Sequence, residues 1–443
     1  MKPGDPTPDL NQALDAGEID YQDLLDAPAI PDVDYLHWQK LKHLTPPHGW
    51  STRRWWFQLK WLRGNRWITV PGLHGSQGRA WGLTRVGRME HLLHELDLVL
   101  GGRVTLPGDV LSAGERDRYI ANSLMQEAIH SSLYEGAVST VEDAKQLLRT
   151  GRDPCNHSER MIRNNYHAML HLRTLAQPQR QLSVEDVLEL HRIVTMETLK
   201  GDTAGHLQAP ADQRVVVFDQ RMQRVVHTPP PAEELPARMQ ALVAFANAPD
   251  LVDETFVHPL LRAILLHFQL AWDHPFADGN GRTARALFYW SLLRRGYWLA
   301  EFLSISRLLY QRRGAYEDAF VQVETDGGDV TYFVLHQLGV LKDAVAELHR
   351  YAEHRQRHLA QLRQRLKSLD RYNHRQQELL DQLLREPLLE VSHVSHGRTH
   401  GVSHVTARAD LQALERDGLL RQRRHGKRLL YGAMEGLADR LRG

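Results

Sequence analysis

His274-Pro275-Phe276-Ala277-Asp278-Gly279-Asn280-Gly281-Arg282-Thr283-Ala284-Arg285 separates two segments of helical periodicity. Before it, Leu261, Ile264, Leu265, Phe268 and Trp272 form an apolar stripe at three- and four-residue spacing, and Pro259 suits a first helical turn. After it, a helix is predicted from about Arg282 to Arg295, stopping at Gly296. Gly279 and Gly281 let backbone N–H groups come close to an anion. A helix N-terminus adds unpaired donors and the positive end of a dipole. Together these make a phosphate cradle.

The side chains in the loop suit that cradle. Asp278 is a hard oxygen ligand placed to hold Mg²⁺ beside a polyphosphate. Asn280 is a donor for a phosphate oxygen. Arg282 and Arg285, three residues apart, share a helix face and can neutralise a leaving pyrophosphate. His274, at the mouth of the loop, is a candidate general base for an attacking hydroxyl. Each residue alone has an ordinary structural explanation: a histidine packed before a turn, a polar Asp-Gly-Asn-Gly turn, two solvated arginines. A base, a metal ligand, an anion nest and two cations within one short loop are far more specific to nucleotide chemistry.

The rest of the chain sets the context. Its 443 residues predict two to four domains, and a hydrophobic content of 42% with 25% charged residues fits a soluble globular protein. A net charge of +1 gives no global attraction to nucleic acid or membrane, so such binding requires local patches. The single cysteine, Cys155, excludes a disulfide framework and a cysteine-based zinc site. No apolar run approaches the roughly 20 residues that span a bilayer. The opening Met-Lys-Pro-Gly-Asp lacks the regions of a signal peptide, which makes the cytoplasm the expected location.

Residues 1–34 hold nine acidic residues and one lysine and read as a mobile acidic tail with little structure apart from a short helix expected near Tyr21–Asp26. Residues 35–115 contain seven of the ten tryptophans and read as a compact accessory region, with Lys60, Arg63 and Arg66 as solvated rims. Residues 116–350 read as mainly helical. The exception is a hairpin at Arg214–His227, in which Val215, Val216 and Val217 precede Asp219–Gln223 and Arg224-Val225-Val226. Residues 351–370 read as a linker helix. Residues 371–443 carry 13 Lys/Arg against 9 Asp/Glu and resemble a winged helix-turn-helix. There Ser403, Thr406 and Arg408 are expected to face a DNA major groove, and Arg423 and Lys427 the phosphates. A protein-contact role fits the same pattern. His393, His396, His400 and His404 suggest a metal, but Gly397 and Gly401 are expected to break the helix that would align them.

The loop resembles the signature of the Fic family, His-x-Phe-x-(Asp/Glu)-Gly-Asn-Gly-Arg-x-x-Arg, at every specified position of residues 274–285. The resemblance implies a mainly α fold: a Fic helical core with a β-hairpin flap, here joined to the tryptophan-rich region and the winged helix domain. It implies an ATP:protein adenylyltransferase. His274 would be the base, Asp278 the Mg²⁺ ligand, and Gly279, Asn280, Gly281, Arg282 and Arg285 the nucleotide cradle. The partner would be a protein bearing an acceptor hydroxyl, and a homodimer is compatible. Ser131-Ser-Leu-Tyr-Glu135-Gly136 matches a self-inhibitory pattern found within the family, (Ser/Thr)-x-x-x-Glu-(Gly/Asn). That implies Glu135 pairs with Arg285 and blocks the γ-phosphate site. The hairpin resembles the family's flap, which receives a target segment by strand addition. Many relatives carry Arg where Gln208 stands, so that position's role is open. Tyr316 and Asp329–Phe333 resemble the family's C-terminal core and either shape the pocket or pack. Two alternatives stay open: a DNA-binding regulator whose Fic domain senses nucleotide, and a Fic enzyme that removes AMP.

Overall fold

The computed structural model describes residues 6–101, 113–199, 203–211, 214, 217–219, 224–252, 254–368, 371–385, 389–425 and 428–441. The chain divides into two compact units: residues 1–104 with 123–344, and residues 105–122 with 345–443. The expected boundaries at 115/116 and 350/351 are displaced accordingly. The reason is continuity of helix: the expected linker at 351–370 is the later part of one helix, Thr331–Ser368, and the Ala113–Tyr134 helix likewise crosses a boundary.

Two helices lie at the centre of the first unit. The Pro259–Asp273 helix starts on Pro259 at its first turn, and the Asn280–Arg294 helix follows the His274–Gly279 loop. Both are buried on nearly every face, including Leu260, Ile264, Leu266, Phe268, Ala284, Leu287, Phe288 and Trp290. A helix apolar all round needs neighbours all round. The His157–Leu175, Val184–Thr195 and Leu235–Asn247 helices pack against this pair.

The acidic N-terminal segment is not a tail. Among its described residues, Tyr21–Leu25 is helical where a short helix was expected, and Leu10–Asp15 is a helix that was not expected. Asp9 and Asp20, read as solvating charges, are N-caps: their side chains accept from Gln12 N at 2.9 Å and Gln22 N at 2.8 Å. Ala13, Ile19, Leu24 and Ile30 bury themselves with Trp38, Leu41, Trp56, Phe57 and Leu59. Composition suggested disorder, but the few apolar residues are spaced to meet the tryptophan cluster. Arg63 is likewise no solvated rim. It is 2% exposed, pairs with Asp32 at 2.7 Å and donates to Tyr332 Oη at 2.8 Å. Lys60 pairs with Asp326 at 2.9 Å. Arg66 is exposed as expected.

Strands Trp67–His74 and Ala80–Thr84 pair antiparallel, with a register shift between Thr69 and His74. Trp81, on the second strand, is 3% exposed and meets Phe268 and Trp272 edge-on at 5.2 and 4.9 Å between ring centres. The tryptophan-rich region is therefore packed onto the helix that leads into the loop. Asp329 accepts from Tyr35 Oη at 2.7 Å, and Thr331 Oγ1 accepts from Thr84 N at 2.8 Å. Of the two roles open to residues 329–333, these contacts are packing.

In the second unit, the His374–Arg385 helix, strand Glu390–Val391, the His393–His400 and His404–Arg416 helices and strands Leu420–His425 and Arg428–Ala433 follow in order. The Arg428–Ala433 strand lies in the middle of the three-stranded sheet. Tyr372, Leu379, Leu380, Leu383, Leu411, Leu414, Leu420 and Tyr431 share one core. Gly397 does not interrupt its helix as expected; Gly401 ends it.

Candidate active site

His274 caps the Pro259–Asp273 helix in the left-handed region, at φ 46° and ψ 54°. A side chain there is unusual and has to be held by its surroundings. Arg214 donates to the carbonyls of Asp273 (2.8 Å) and His274 (3.3 Å), and His227 Nε2 donates to Trp272 O at 2.7 Å. Three carbonyls at the end of this helix thus find partners on the two limbs of the 214–227 hairpin. Asp273 Oδ1 accepts from Gln269 Nε2 at 2.9 Å and Arg238 Nη1 at 3.0 Å, and Gln269 Oε1 takes the Trp81 indole N–H at 2.6 Å. Burial pushes the Asp273 carboxyl up to about 6. A chain of buried polar contacts therefore runs from the N-terminal hairpin to the residue before His274.

Burial also pulls His274 down to about 4, so its ring is neutral at pH 7. Its Nδ1 lies 3.4 Å from Ala271 O, a carbonyl that can only accept. Nε2 is left as the basic nitrogen, as a general base requires.

The loop itself is held by a residue absent from the sequence reading. His191, on the Val184–Thr195 helix, stacks on Phe276 with ring centres 3.8 Å apart and planes 5° from parallel. Its Nδ1 accepts from Gly205 N at 2.9 Å, which fixes the tautomer, and Nε2–H donates to Asp278 O at 2.9 Å. Burial brings it down to about 4 and keeps it neutral. One ring grips the loop at Phe276 and at Asp278. The only hint in the sequence was a histidine on the apolar face of Val187, Leu190 and Val194, and that pattern does not distinguish a packed histidine from a positioning one.

Asn280 also works on the loop. Its Oδ1 accepts from Phe276 N at 2.9 Å and its Nδ2 donates to Phe276 O at 2.8 Å. The side chain expected to meet a phosphate is used up in closing the loop, so its contribution to a cradle falls to its backbone N–H. Gly279 is the N-cap at φ 82°, and a Cβ there would come within 2.6 Å of Thr195 Cγ2. No side chain caps this helix start. Its first-turn N–H groups are thus available to an anion.

Around that start, Asp278 remains 45% exposed and pairs with Arg282 at 3.1 Å. Arg282 is buried and also donates to Val194 O at 3.3 Å. Arg285 Nε donates to Ser131 Oγ at 2.9 Å, and its Nη2 donates to Ser131 O at 3.1 Å and Glu135 Oε1 at 2.7 Å. Glu135 follows the last residue of the Ala113–Tyr134 helix, where Gly136 N bonds Leu133 O and Ala137 N bonds Ser132 O. A Cβ on Gly281 would stand 2.1 Å from Glu135 Oε1. The carboxylate therefore lies directly on the anion-binding helix start as well as on Arg285, where an outer phosphate would belong. The half-exposed carboxylate of Asp278, whose oxygens accept from Gly279 N at 2.6 Å and Arg282 at 3.1 Å, the uncapped first turn and two buried guanidinium groups suit a metal–polyphosphate in charge and donor type.

The structure brings His274, Asp278, Gly279, Asn280, Gly281, Arg282, Arg285, Ser131 and Glu135 to one place. Of the flap residues, Val217 is in strand Val217–Asp219, paired with Arg224–His227, while Val215 and Val216 lie outside the described residues. Gln208 lies under the loop, its N–H on Pro275 O at 2.9 Å and its side chain on Arg214. Ser403, Thr406, Arg408 and Arg423 belong to the second unit, and Lys427 lies outside the described residues. Among the described residues no group of three metal-ligating side chains is present, and no helix is long and apolar enough to cross a membrane.

Residues 181–292 match the model of the Fic/DOC family. A protein adenylyltransferase Fic of Nematostella vectensis is 30% identical over 189 residues, covering 41% of this chain and 40% of the relative. One from Drosophila melanogaster is 30% identical over 201 residues, covering 43% and 37%. The chain spans about two fifths of the length of these curated relatives. The fold is similar to that of a Fic family protein from Desulfovibrio desulfuricans G20, at 21% identity and a TM-score of 0.51, covering 79% of this chain and 97% of that one.

Proposed function

We propose that the Fic domain at residues 181–292 is the catalytic part of a protein adenylyltransferase, which moves AMP from ATP to a Ser, Thr or Tyr hydroxyl of a target protein and is repressed by Glu135. The observation that carries this is the pairing of a buried neutral His274 with an uncapped helix start that already holds a carboxylate. The target hydroxyl oxygen attacks the α-phosphorus and its proton passes to His274 Nε2. The bond from α-phosphorus to pyrophosphate breaks, and pyrophosphate leaves. Asp278 would hold Mg²⁺, which supplies neutralisation of the α- and β-phosphate charge. The first-turn N–H groups, Arg282 and Arg285 bind the outer phosphates. Most of the rate comes from positioning and charge stabilisation. The edge of strand Val217–Asp219 would offer backbone groups to an extended target segment.

Repression is direct competition. Arg285 cannot hold Glu135 and a γ-phosphate at once, and the Glu135 carboxylate repels the phosphate from the Gly281 end of the cradle. The test is incorporation of α-labelled ATP by wild type, Glu135→Gly and Glu135→Gly/His274→Ala. Strong labelling only in the single variant supports both roles. No gain in the single variant ends the repression model, and equal labelling in the double variant ends the role of His274. Release of AMP from a pre-labelled target by wild type, lost in Glu135→Gly, would assign the reverse reaction instead.

A second reading concerns residues 371–443, proposed as a winged helix module that binds DNA. It is supported by the helix–strand–helix–helix–strand–strand order and by the absence of any acidic residue from Val391 to Ala409. Arg421 and Arg423 are exposed on the hairpin that follows, and Arg423 also reaches Glu390 at 3.3 Å. Anisotropy of a labelled mixed-sequence duplex with the full chain, at several salt concentrations, tests it. Affinity should fall linearly on a log–log salt plot. Absence of binding at low salt would dismiss this reading.

A further inference from the structure

We propose that the His404–Arg416 helix reads a thymine and a guanine in neighbouring base pairs, through the methyl groups of Val405 and the guanidinium of Arg408. This rests on the reading of residues 371–443 as a DNA-binding module.

The rotation of the helix is fixed from behind. Ala407, Asp410, Leu411 and Leu414 are buried. Asp410 accepts from Asn373 Nδ2 at 2.8 Å and Arg375 Nε at 2.8 Å, and His396 Nε2 lies 3.4 Å away. A buried carboxylate held by Asn373 and Arg375, with Gln376 Nε2 donating to the backbone Asp410 O at 3.0 Å, does not allow the helix to roll. The opposite face is therefore set, and it carries His404, Val405, Arg408 and Ala409, all exposed.

Ser403 and Thr406, expected to read bases, are occupied. Ser403 Oγ accepts from Thr406 N at 3.2 Å, and the two hydroxyls pair at 2.9 Å. Reading a base with Ser403 would compete with the N-cap of the helix, and reading one with Thr406 would break the hydroxyl pair. Arg408 stays from the expected set, and the structure adds Val405. Its side chain is 80% exposed on the first turn, where burial gives no reason for an apolar residue. A lone exposed valine is common on protein surfaces. This one shares its face with an arginine one turn further on, in a stretch free of acids. Three residues of helix advance about 4.5 Å, close to the roughly 3.4 Å step between stacked base pairs. An apolar side chain finds the C5 methyl of thymine in the major groove, and an arginine finds O6 and N7 of guanine.

The experiment selects duplexes from a random 20-bp pool with the full chain, then measures anisotropy on the enriched sequence. Each thymine is replaced in turn by deoxyuridine, which lacks only the methyl, and each guanine by 7-deazaguanine, which lacks the N7 acceptor. One deoxyuridine should weaken wild type about 4-fold, the worth of one buried methyl, and leave Val405→Ser unaffected. One 7-deazaguanine in the adjacent pair should weaken wild type roughly 5- to 150-fold and leave Arg408→Ala unaffected. Both variants are surface changes, and an unchanged melting temperature checks that they fold. If the enriched duplex binds and both variants keep the wild-type sensitivities, DNA binding stands and this assignment falls. A pool that binds without enrichment overturns it equally. If no duplex binds at low salt, the DNA reading and this inference fall together.

Discussion

Glu127 and Glu135 lie eight residues apart on one stretch of chain, the first within the Ala113–Tyr134 helix and the second just past its end. Their environments differ completely. Glu127 is 1% exposed and accepts from Ser306 N at 2.9 Å and from the hydroxyls of Tyr289 (3.0 Å), Ser304 (3.2 Å) and Ser306. Burial raises its pKa against that hydrogen bonding. Glu135 is 22% exposed and pairs with Arg285 at 2.7 Å. The first carboxylate joins its helix to the Ile305–Gln311 helix start and cannot leave without stranding buried donors. The second can swing into water at the cost of one ion pair. A permanent anchor two turns behind a releasable contact suits the proposed brake: the helix would stay in place while the side chain just past its end exchanges with a phosphate.

Four measurements would break or sharpen this contrast. The largest effect is expected at His274, the proposed base. In a Glu135→Gly background, His274→Ala should lower AMP transfer by about 10³-fold, within the range of a general base, with little change in thermal stability. Residual transfer within tenfold would remove His274 from the chemistry.

Next comes release itself. A charged hydrogen bond is worth roughly 1.5–3 kcal/mol, so Glu135→Gly should raise labelling of a target, or of the chain itself, by about 10- to 150-fold. Glu135→Gln, which keeps the shape and loses the charge, should fall between the two. Full repression by the glutamine would show that shape, not charge, blocks the site.

The third measurement is at the anchor. Glu127→Ala strands several buried donors, each worth about 1–3 kcal/mol, and should cost clearly more in denaturant unfolding than Glu135→Ala, which removes one charged hydrogen bond of about 1.5–3 kcal/mol from Arg285. Equal costs would erase the distinction between anchor and switch.

The smallest effect is a pH profile. A histidine near its usual value of about 6.5 would lose roughly tenfold in kcat/KM at pH 5.5. His274, brought down to about 4 by burial, stays deprotonated until the pH falls well below that. Glu135→Gly enzyme should therefore lose less than about twofold between pH 7.5 and 5.5. A limb at 6.5 would mean that the ring is not buried in the working enzyme.

Much of this was legible in the sequence. The loop carries its chemistry on one short segment, and its flanking helices announce themselves through Pro259, a continuous apolar stripe and a stop at Gly296. The Glu135–Arg285 pair followed from resemblance to a family pattern, and the geometry brings those residues to 2.7 Å. The acidic start of the chain was misread, because Asp9 and Asp20 look alike whether they cap helices or solvate a tail; only the burial of Ile19, Leu24 and Ile30 tells which.

The sequence by itself determined what the loop contains: a base, a carboxylate, two cations and two glycines in fixed local order, because residues within a few positions are bound to be neighbours in space. The tertiary structure decided how the backbone at His274 is held, why the loop keeps its form and which glutamate is anchored. Those depend on His191, Arg214 and Ser306, which lie tens to hundreds of residues from their partners. Such contacts leave no periodicity in the chain, and they shift a pKa or fix a tautomer only once folding has removed the water between them.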